Sequence, residues 1–147
     1  MSSIWLTTLP ARALHLPSLR ATLDQPGFAA AATPVRIPAP ANEPHILPPP
    51  SGRAFLRASP ELQMKPLVAL GLHRIYQIGP CFRAGERGDR HNPEFTLLEW
   101  YRGRADYLAV LGDLKKLLRD AAAAVCGSHE ITYRGTAIDL AGSWEKI

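Results

Sequence analysis

Between residues 83 and 101 the chain gathers Arg83, Glu86, Arg87, Asp89, Arg90, His91, Glu94, Phe95, Glu99 and Tyr101. Side chains two apart on a strand share a face. A strand over 94–102 therefore puts Phe95, Leu97, Glu99 and Tyr101 on one side, and Glu94, Thr96, Leu98 and Trp100 on the other. A ring, an acid and a phenol in line make an unusual core, because Glu is almost never fully buried unless paired. One account is a strand face open to water. The other is a pocket in which Phe95 stacks on a flat ligand while Glu99 and Tyr101 receive a cation. Arg83, closing the preceding strand, and His91, ahead of the second, can both turn toward the Phe95 face, and Arg suits bidentate phosphate contact. A base stacker, a phosphate clamp and an ammonium acceptor describe a nucleotide plus an amino compound. A solvated, charged hairpin tip is the competing account.

The elements that must position these residues follow from pattern. Residues 74–82 (RIYQIGPCF) and 94–102 (EFTLLEWYR) are rich in aromatic and β-favouring residues, so they read as strands of an antiparallel hairpin. The polar, glycine-containing stretch 83–92 is its long tip. Ahead of it, residues 54–58 read as a short strand. Ser59-Pro60-Glu61 reads as a helix start, with Ser59 the N-cap and Pro60 at the first helical position. Leu62, Met64, Leu67, Val68 and Leu70 are expected to fill the buried face of that helix, with Pro66 a local conflict and Gly71 the stop. Residues 17–25 form a possible short helix near Pro17, broken by Gly27, and 28–35 a possible strand. Residues 34–50 hold seven prolines and must be extended or looped; they form either a linker or an ordered loop beside a site. Asp106 caps a helix running to Cys126 with Gly127 as its stop. Leu108, Leu111, Leu114, Leu118 and Val125 are assigned to its core face, and Lys115, Lys116, Arg119 and Asp120 to its solvent face. Residues 131–133 and 137–140 read as two short strands around Arg134-Gly135, and the stretch from Trp144 reads as an element cut short.

Composition sets the outer bounds. The 147 residues are 46% hydrophobic and 20% charged with a net charge of +4, which suits a folded globular chain and excludes wholesale disorder. Fourteen prolines and eleven glycines spread along the sequence exclude a coiled coil. There is no apolar run long enough for a transmembrane helix and no secretory leader pattern, so a cytoplasmic protein without membrane contact is expected. Cys81 and Cys126 are too few for a disulfide framework or a zinc site and are expected to be reduced thiols. The basic charge permits an anionic partner without requiring one.

Three segments taken together carry a resemblance. SPELQMK (59–65), YQIGPCFR (76–83) and RHNPEFTLLEWY (90–101) resemble the catalytic core of class II lysyl-tRNA synthetases. They look most like the related elongation factor P lysine ligases, whose pattern the Glu99-Trp100-Tyr101-Arg102 ending follows. The resemblance implies an α+β fold: a class II synthetase-like antiparallel sheet flanked by helices, incomplete in this chain. It implies that residues 1–147 are the N-terminal part of a catalytic domain, with a motif 1-like region near 28–34 and a Pro-rich loop at 34–50. The motif 2 hairpin then spans 74–102, and a helix follows at 106–126. It implies roles: Arg83 on the ATP α-phosphate, as the catalytic residue; Glu86 and His91 toward ATP; Phe95 stacked on adenine. Glu61 would receive the substrate α-amino group, and Glu99 with Tyr101 the side-chain ammonium.

The implied reaction is ATP-dependent activation of lysine or β-lysine as an aminoacyl-adenylate, followed by transfer to elongation factor P. The alternatives are a truncated lysyl-tRNA synthetase that charges tRNA, and a non-catalytic remnant that only binds or dimerises. ATP and Mg²⁺ are the implied cofactors. No metal ligand is assigned in this chain, because the family's metal-binding acids are expected downstream, near a motif 3 that the sequence lacks. A homodimer through the motif 1-like region is implied for the complete protein. The short stretch ahead of that region is expected to leave no room for an anticodon-binding barrel, which favours the protein acceptor. The 147-residue chain alone is expected to show no lysine-dependent pyrophosphate exchange. The chain departs from the family at Gly85, where motif 2 usually has Glu, with Glu86 one place later. It departs again at Gln63 and Pro66, which replace larger or basic residues.

Overall fold

The computed structural model describes residues 4–41 and 43–144. In chain order its elements are α1 (Ile4–Asp24), β1 (Ala29–Ala30), β2 (Arg36–Ile37), β3 (Pro50–Ser51), β4 (Ala54–Leu56), α2 (Glu61–Ala69), β5 (Arg74–Phe82), β6 (Glu94–Arg102), α3 (Tyr107–Cys126), β7 (Glu130–Tyr133) and β8 (Thr136–Asp139). The fold is α+β, with antiparallel pairing dominant. Contacts divide it into two compact units, Phe28–Arg104 and Met1–Gly27 with Ala105–Ile147.

The unit 28–104 is built on the β5–β6 hairpin. All nine residues of each strand pair, from Arg74 opposite Arg102 to Phe82 opposite Glu94. β1 adds to the other edge of β5 in parallel, through Ala29–Ile75 and Ala30–Tyr76. A second small sheet, in the order β2-β4-β3, is antiparallel throughout. Among its described residues the proline-rich segment connects β2 to β3 and is tied to the hairpin, since the Ala84 N–H donates to the Leu47 carbonyl at 2.7 Å. Its prolines leave few donors for a longer ladder.

Helix α2 starts one residue later than the sequence suggests. Pro60 is the N-cap, and Ser59 Oγ accepts from the Glu61 N–H at 3.3 Å. Gly71 ends the helix as expected. It takes a φ of +102°, its N–H bonds to the Val68 carbonyl, and the Leu72 N–H bonds back to Leu67, which is the paired closure of a glycine C′ stop. Pro66 is accommodated within the nine-residue helix. The expected apolar face needs correction. Met64 is fully buried, but Leu62 is 48% and Leu70 83% exposed. Positions 62 and 64 lie about 200° apart on a helix, so both cannot face one core.

The second unit carries larger departures. α1 runs over 21 residues with Pro10 and Pro17 inside it, rather than over a short stretch near Pro17. Its contact with α3 holds it through the prolines: Leu19, Leu23, Leu117, Ala121 and Ala122 are buried. Thr22 Oγ1 donates to Asp120 Oδ2 at 2.7 Å. α3 has the expected ends, Asp106 accepting from the Ala109 N–H at 3.0 Å and Gly127 left-handed at φ +69°. Its buried face is rotated from the leucine stripe. Leu108, Leu114, Leu118 and Val125 are exposed while Leu117, Ala121 and Ala122 are buried. Periodicity weighs hydrophobicity, whereas close helix approach also favours small side chains such as the two alanines. Arg119 and Asp120 are not solvent-side charges. Arg119 donates to the carbonyls of Leu140, Ala141 and Gly142 at 2.6–3.3 Å, and Asp120 accepts from Thr22 and Lys116. β7 and β8 form a tight hairpin turned by Arg134 and Gly135, both at positive φ, as a two-residue primed turn requires. Cys81 and Cys126 are free thiols. The final residues 145–147 lie outside the described ones.

Removing the α3 cap by Asp106→Ala leaves one helix N–H without its partner. It is expected to lower stability by about 1 kcal/mol, measured as a shift of the urea midpoint, with Asp106→Asn recovering most of the loss.

Candidate active site

Register sorts the hairpin side chains. Cys81 stands opposite Phe95, Gly79 opposite Leu97, Gln77 opposite Glu99 and Ile75 opposite Tyr101. Directly opposed residues share a face, so these eight side-chain positions form one surface. The spacing expected from sequence is therefore present, and two clusters stand along it.

The first cluster lies at the hairpin tip. Arg83, Glu86, Arg90, His91, Asn92 and Phe95 line a cavity of about 180 Å³. The Arg83 guanidinium lies over the Phe95 ring, 5.0 Å from its centre, and its Nη1 is 3.8 Å from Glu86 Oε1. Arg83 Nε is buried with no hydrogen-bond partner. A charged, half-satisfied guanidinium at the wall of a cavity is an incomplete anion site. Gly85 takes a φ of +78°, a left-handed conformation that a Glu would adopt with strain. The turn it makes brings Glu86 onto Arg83 instead. The tip closes at Gly88 and His91, whose main chains exchange hydrogen bonds at 3.1 and 3.3 Å. His91 is exposed.

The second cluster lies toward the other end of the same face. Tyr101 donates to Glu99 Oε1 at 2.5 Å. Burial raises the Glu99 carboxyl above the usual range, opposed by the Tyr101 hydrogen bond and helped by the Glu61 charge. Burial and the Glu99 carboxylate raise the Tyr101 phenol well above its ordinary value. The Glu61 carboxylate, at the start of α2, acts on both groups and pairs with Lys65 one turn later. Two acids and a phenol thus stand close together, with Lys65 on one of the acids.

All seven residues singled out from sequence fall into these two clusters: Arg83, Glu86, His91 and Phe95 in one, Glu61, Glu99 and Tyr101 in the other. Sequence reasoning missed Arg57, Lys65 and Gln77, and gave Arg90 and Asn92 no role of their own. Arg57 is 1% exposed and contributes to the electrostatics of both Cys81 and Glu99. Its signal was available: a single charge between Leu56 and Ala58 in an otherwise apolar strand. Among the described residues no group of three or more His, Cys, Asp or Glu stands together as a metal site, and no helix is long and apolar enough to cross a membrane.

The raised Glu99 pKa has a definite sign in stability. Its folded pKa lies above the unfolded value, so protonation favours the folded chain below that value. The contribution is lost as pH rises through the folded pKa. Glu99→Gln fixes the neutral form. It is expected to raise the melting temperature at pH 7 and leave it nearly unchanged at pH 4; a larger gain at pH 4 contradicts this.

A family model for class II tRNA synthetases (D, K and N) matches residues 5–147. The lysine–tRNA ligase of Carboxydothermus hydrogenoformans is 36% identical over 141 residues, covering 92% of this chain and 29% of that protein. Those of Chromobacterium violaceum and Prochlorococcus marinus are 38% and 40% identical over 93 and 92 residues, each covering 63% of this chain and 18% of the relative. The chain spans less than a third of the length of these curated relatives. The hairpin, its two clusters and this match over nearly the whole sequence agree: the chain belongs to the class II tRNA synthetases of the D, K and N group.

Proposed function

We propose that the protein containing this chain activates lysine, or β-lysine, with ATP. The observation that carries the reading is the placement of an anion-and-ring cluster and a cation cluster on one face of one rigid hairpin. Arg83 and Phe95 take the nucleotide, Phe95 offering adenine a ring face and Arg83 the α-phosphate a guanidinium. His91 and Glu86 flank the phosphates. Glu61 receives the α-amino group, which requires Lys65 to release it, and Glu99 with Tyr101 holds the side-chain ammonium.

The reaction then needs alignment more than covalent help. A carboxylate oxygen of lysine attacks the α-phosphorus, the bond to the bridging oxygen breaks, and pyrophosphate departs. Holding both partners in line supplies much of the rate. Arg83 neutralises charge that grows on the α-phosphate oxygens. Mg²⁺, when bound, would screen the phosphates. Among the described residues no group of three or more His, Cys, Asp or Glu stands together to hold it.

Two acceptors for the activated lysine stand as alternatives, and the relatives support only the first. The relatives are lysine–tRNA ligases, which favours a tRNA hydroxyl. The Glu99-Trp100-Tyr101-Arg102 ending of β6 favours the lysine amine of a protein such as elongation factor P. Transfer of labelled lysine to each acceptor in parallel separates them. The motif 1-like residues 28–34 are proposed to contribute to a homodimer.

Lysine-dependent ATP–pyrophosphate exchange in the protein that contains this chain tests the activation. Arg83→Ala is expected to reduce exchange about 10²–10³-fold; unchanged exchange removes Arg83 from the phosphate. Glu99→Gln is expected to raise the lysine KM about tenfold or more, as loss of a charged hydrogen bond does, and to leave the ATP KM nearly constant. Equal effects on both would make Glu99 a structural residue.

A further inference from the structure

We propose that Arg57 is the positioning residue of the candidate site, holding β5 so that the anion and cation clusters keep their spacing. The inference rests on the reading of the site given above.

Arg57 follows β4 directly and works through both its main chain and its side chain. Its N–H donates to the Val35 carbonyl and its carbonyl accepts from the Phe82 N–H, each at 2.9 Å. Phe82 is the residue before Arg83, so the base of the anion cluster is fixed by this bond. The guanidinium reaches further back along β5. Its Nε donates to the Pro80 carbonyl at 3.1 Å, and its Nη1 donates to the Thr33 carbonyl and Oγ1 at 3.0 and 2.9 Å. In the amide orientation that satisfies both groups, Gln77 Oε1 accepts from Nη1 at 2.7 Å and Nη2 at 3.0 Å, and its nitrogen donates to Thr33 Oγ1. Gln77 is the register partner of Glu99. One side chain thus touches the strand opposite the cation cluster, and its main chain touches the strand beside the anion cluster.

Gly79 makes the arrangement possible. A Cβ there would lie 2.8 Å from Arg57 Nη2, and the guanidinium cannot retreat without losing its bonds. Gly79 sits opposite Leu97, between the Phe95 and Glu99 register pairs. The buried cation therefore lies on the site face itself, over Gly79 and between the two clusters. Its partners are carbonyls, a hydroxyl and an amide, with no carboxylate in ion-pair contact among the described residues. A buried charge is retained at considerable cost unless it is well hydrogen-bonded. Plain packing would be served better by an apolar residue. A rigid fork that spans three segments suits an Arg and is lost with Lys.

The test uses the ¹⁵N-labelled protein that contains this chain, with Arg57→Lys, Arg57→Met and, as a control in the other unit, Thr22→Val, which deletes the hydroxyl that bonds Asp120. Amide exchange is read at Phe82 and Arg83, and affinities for L-lysine and for ATP are taken from chemical-shift titrations. Both Arg57 variants are expected to speed exchange at Phe82 and Arg83 by about tenfold or more. They are also expected to weaken both ligands by about fivefold or more, as small misplacements of binding groups do. Arg57→Lys should be the milder of the two, and it carries the test if Arg57→Met does not fold. Thr22→Val should lower the melting temperature while both affinities stay within about twofold. Unchanged affinities in a folded Arg57 variant, an effect on one ligand only, or an equal loss in Thr22→Val overturns the proposal. If the wild-type protein binds neither ligand, the reading of the site fails. Exchange at Phe82 and Arg83 then decides the positioning claim alone.

Discussion

The β5–β6 register is the constraint on which the rest depends. Side chains alternate with a period of two, so a slip of one residue would carry Phe95, Glu99 and Tyr101 to the opposite face. Nine consecutive pairs leave no bulge to absorb such a slip. The two faces are also chemically distinct. One carries Gln77, Gly79, Cys81, Phe95, Glu99 and Tyr101, and the other carries Tyr76, Ile78, Leu98 and Trp100. Slippage would carry Glu99 and Tyr101 away from Gln77 and Ile75 and break up the cluster they form.

The electrostatics of that surface follow from its partial burial. Glu99 is harder to ionise than an exposed acid because water is partly excluded, and the Tyr101 hydrogen bond and Lys65 and Arg57 charges act against this. On the proposed reading, an incoming ammonium would relieve this unfavourable desolvation, a trade between stability and function. Lys65 holds Glu61 in the same way before any ligand arrives, through a pair exposed enough to exchange readily. At the other end, Arg83 rests on Phe95 and Glu86. Each cluster is thus partly satisfied by neighbours that a ligand can replace.

How far the sequence revealed this depended on the kind of signal. Strands β5 and β6, their loop, the Asp106 cap and the Gly71 and Gly127 stops are local features of residue type, and the structure has them where the residues suggest. Faces of helices were less legible. The stripe Leu108-Leu111-Leu114-Leu118 has correct helical spacing, yet the buried positions are Leu117, Ala121 and Ala122. Which face is buried depends on neighbours that a single segment does not encode. The length of α1 was hidden because Pro10 and Pro17 argue against a helix locally, and contact with α3 overrides them. The seven candidate residues could be singled out because a strand face and a motif placed them together. Arg57 was missed because its partners, Thr33, Gln77 and Pro80, come from separate segments and meet only in the folded chain.

The central claim is that one hairpin face carries adjoining nucleotide and lysine sites. Intermolecular nuclear Overhauser effects with ATP and L-lysine bound together to the labelled protein test it most directly. The account predicts contacts from adenine protons to the Phe95 ring, and from the lysine ε-methylene to the Tyr101 ring. Contacts to Trp100 or Leu98 on the opposite face, or none to Phe95 and Tyr101 at saturating ligand, would contradict it.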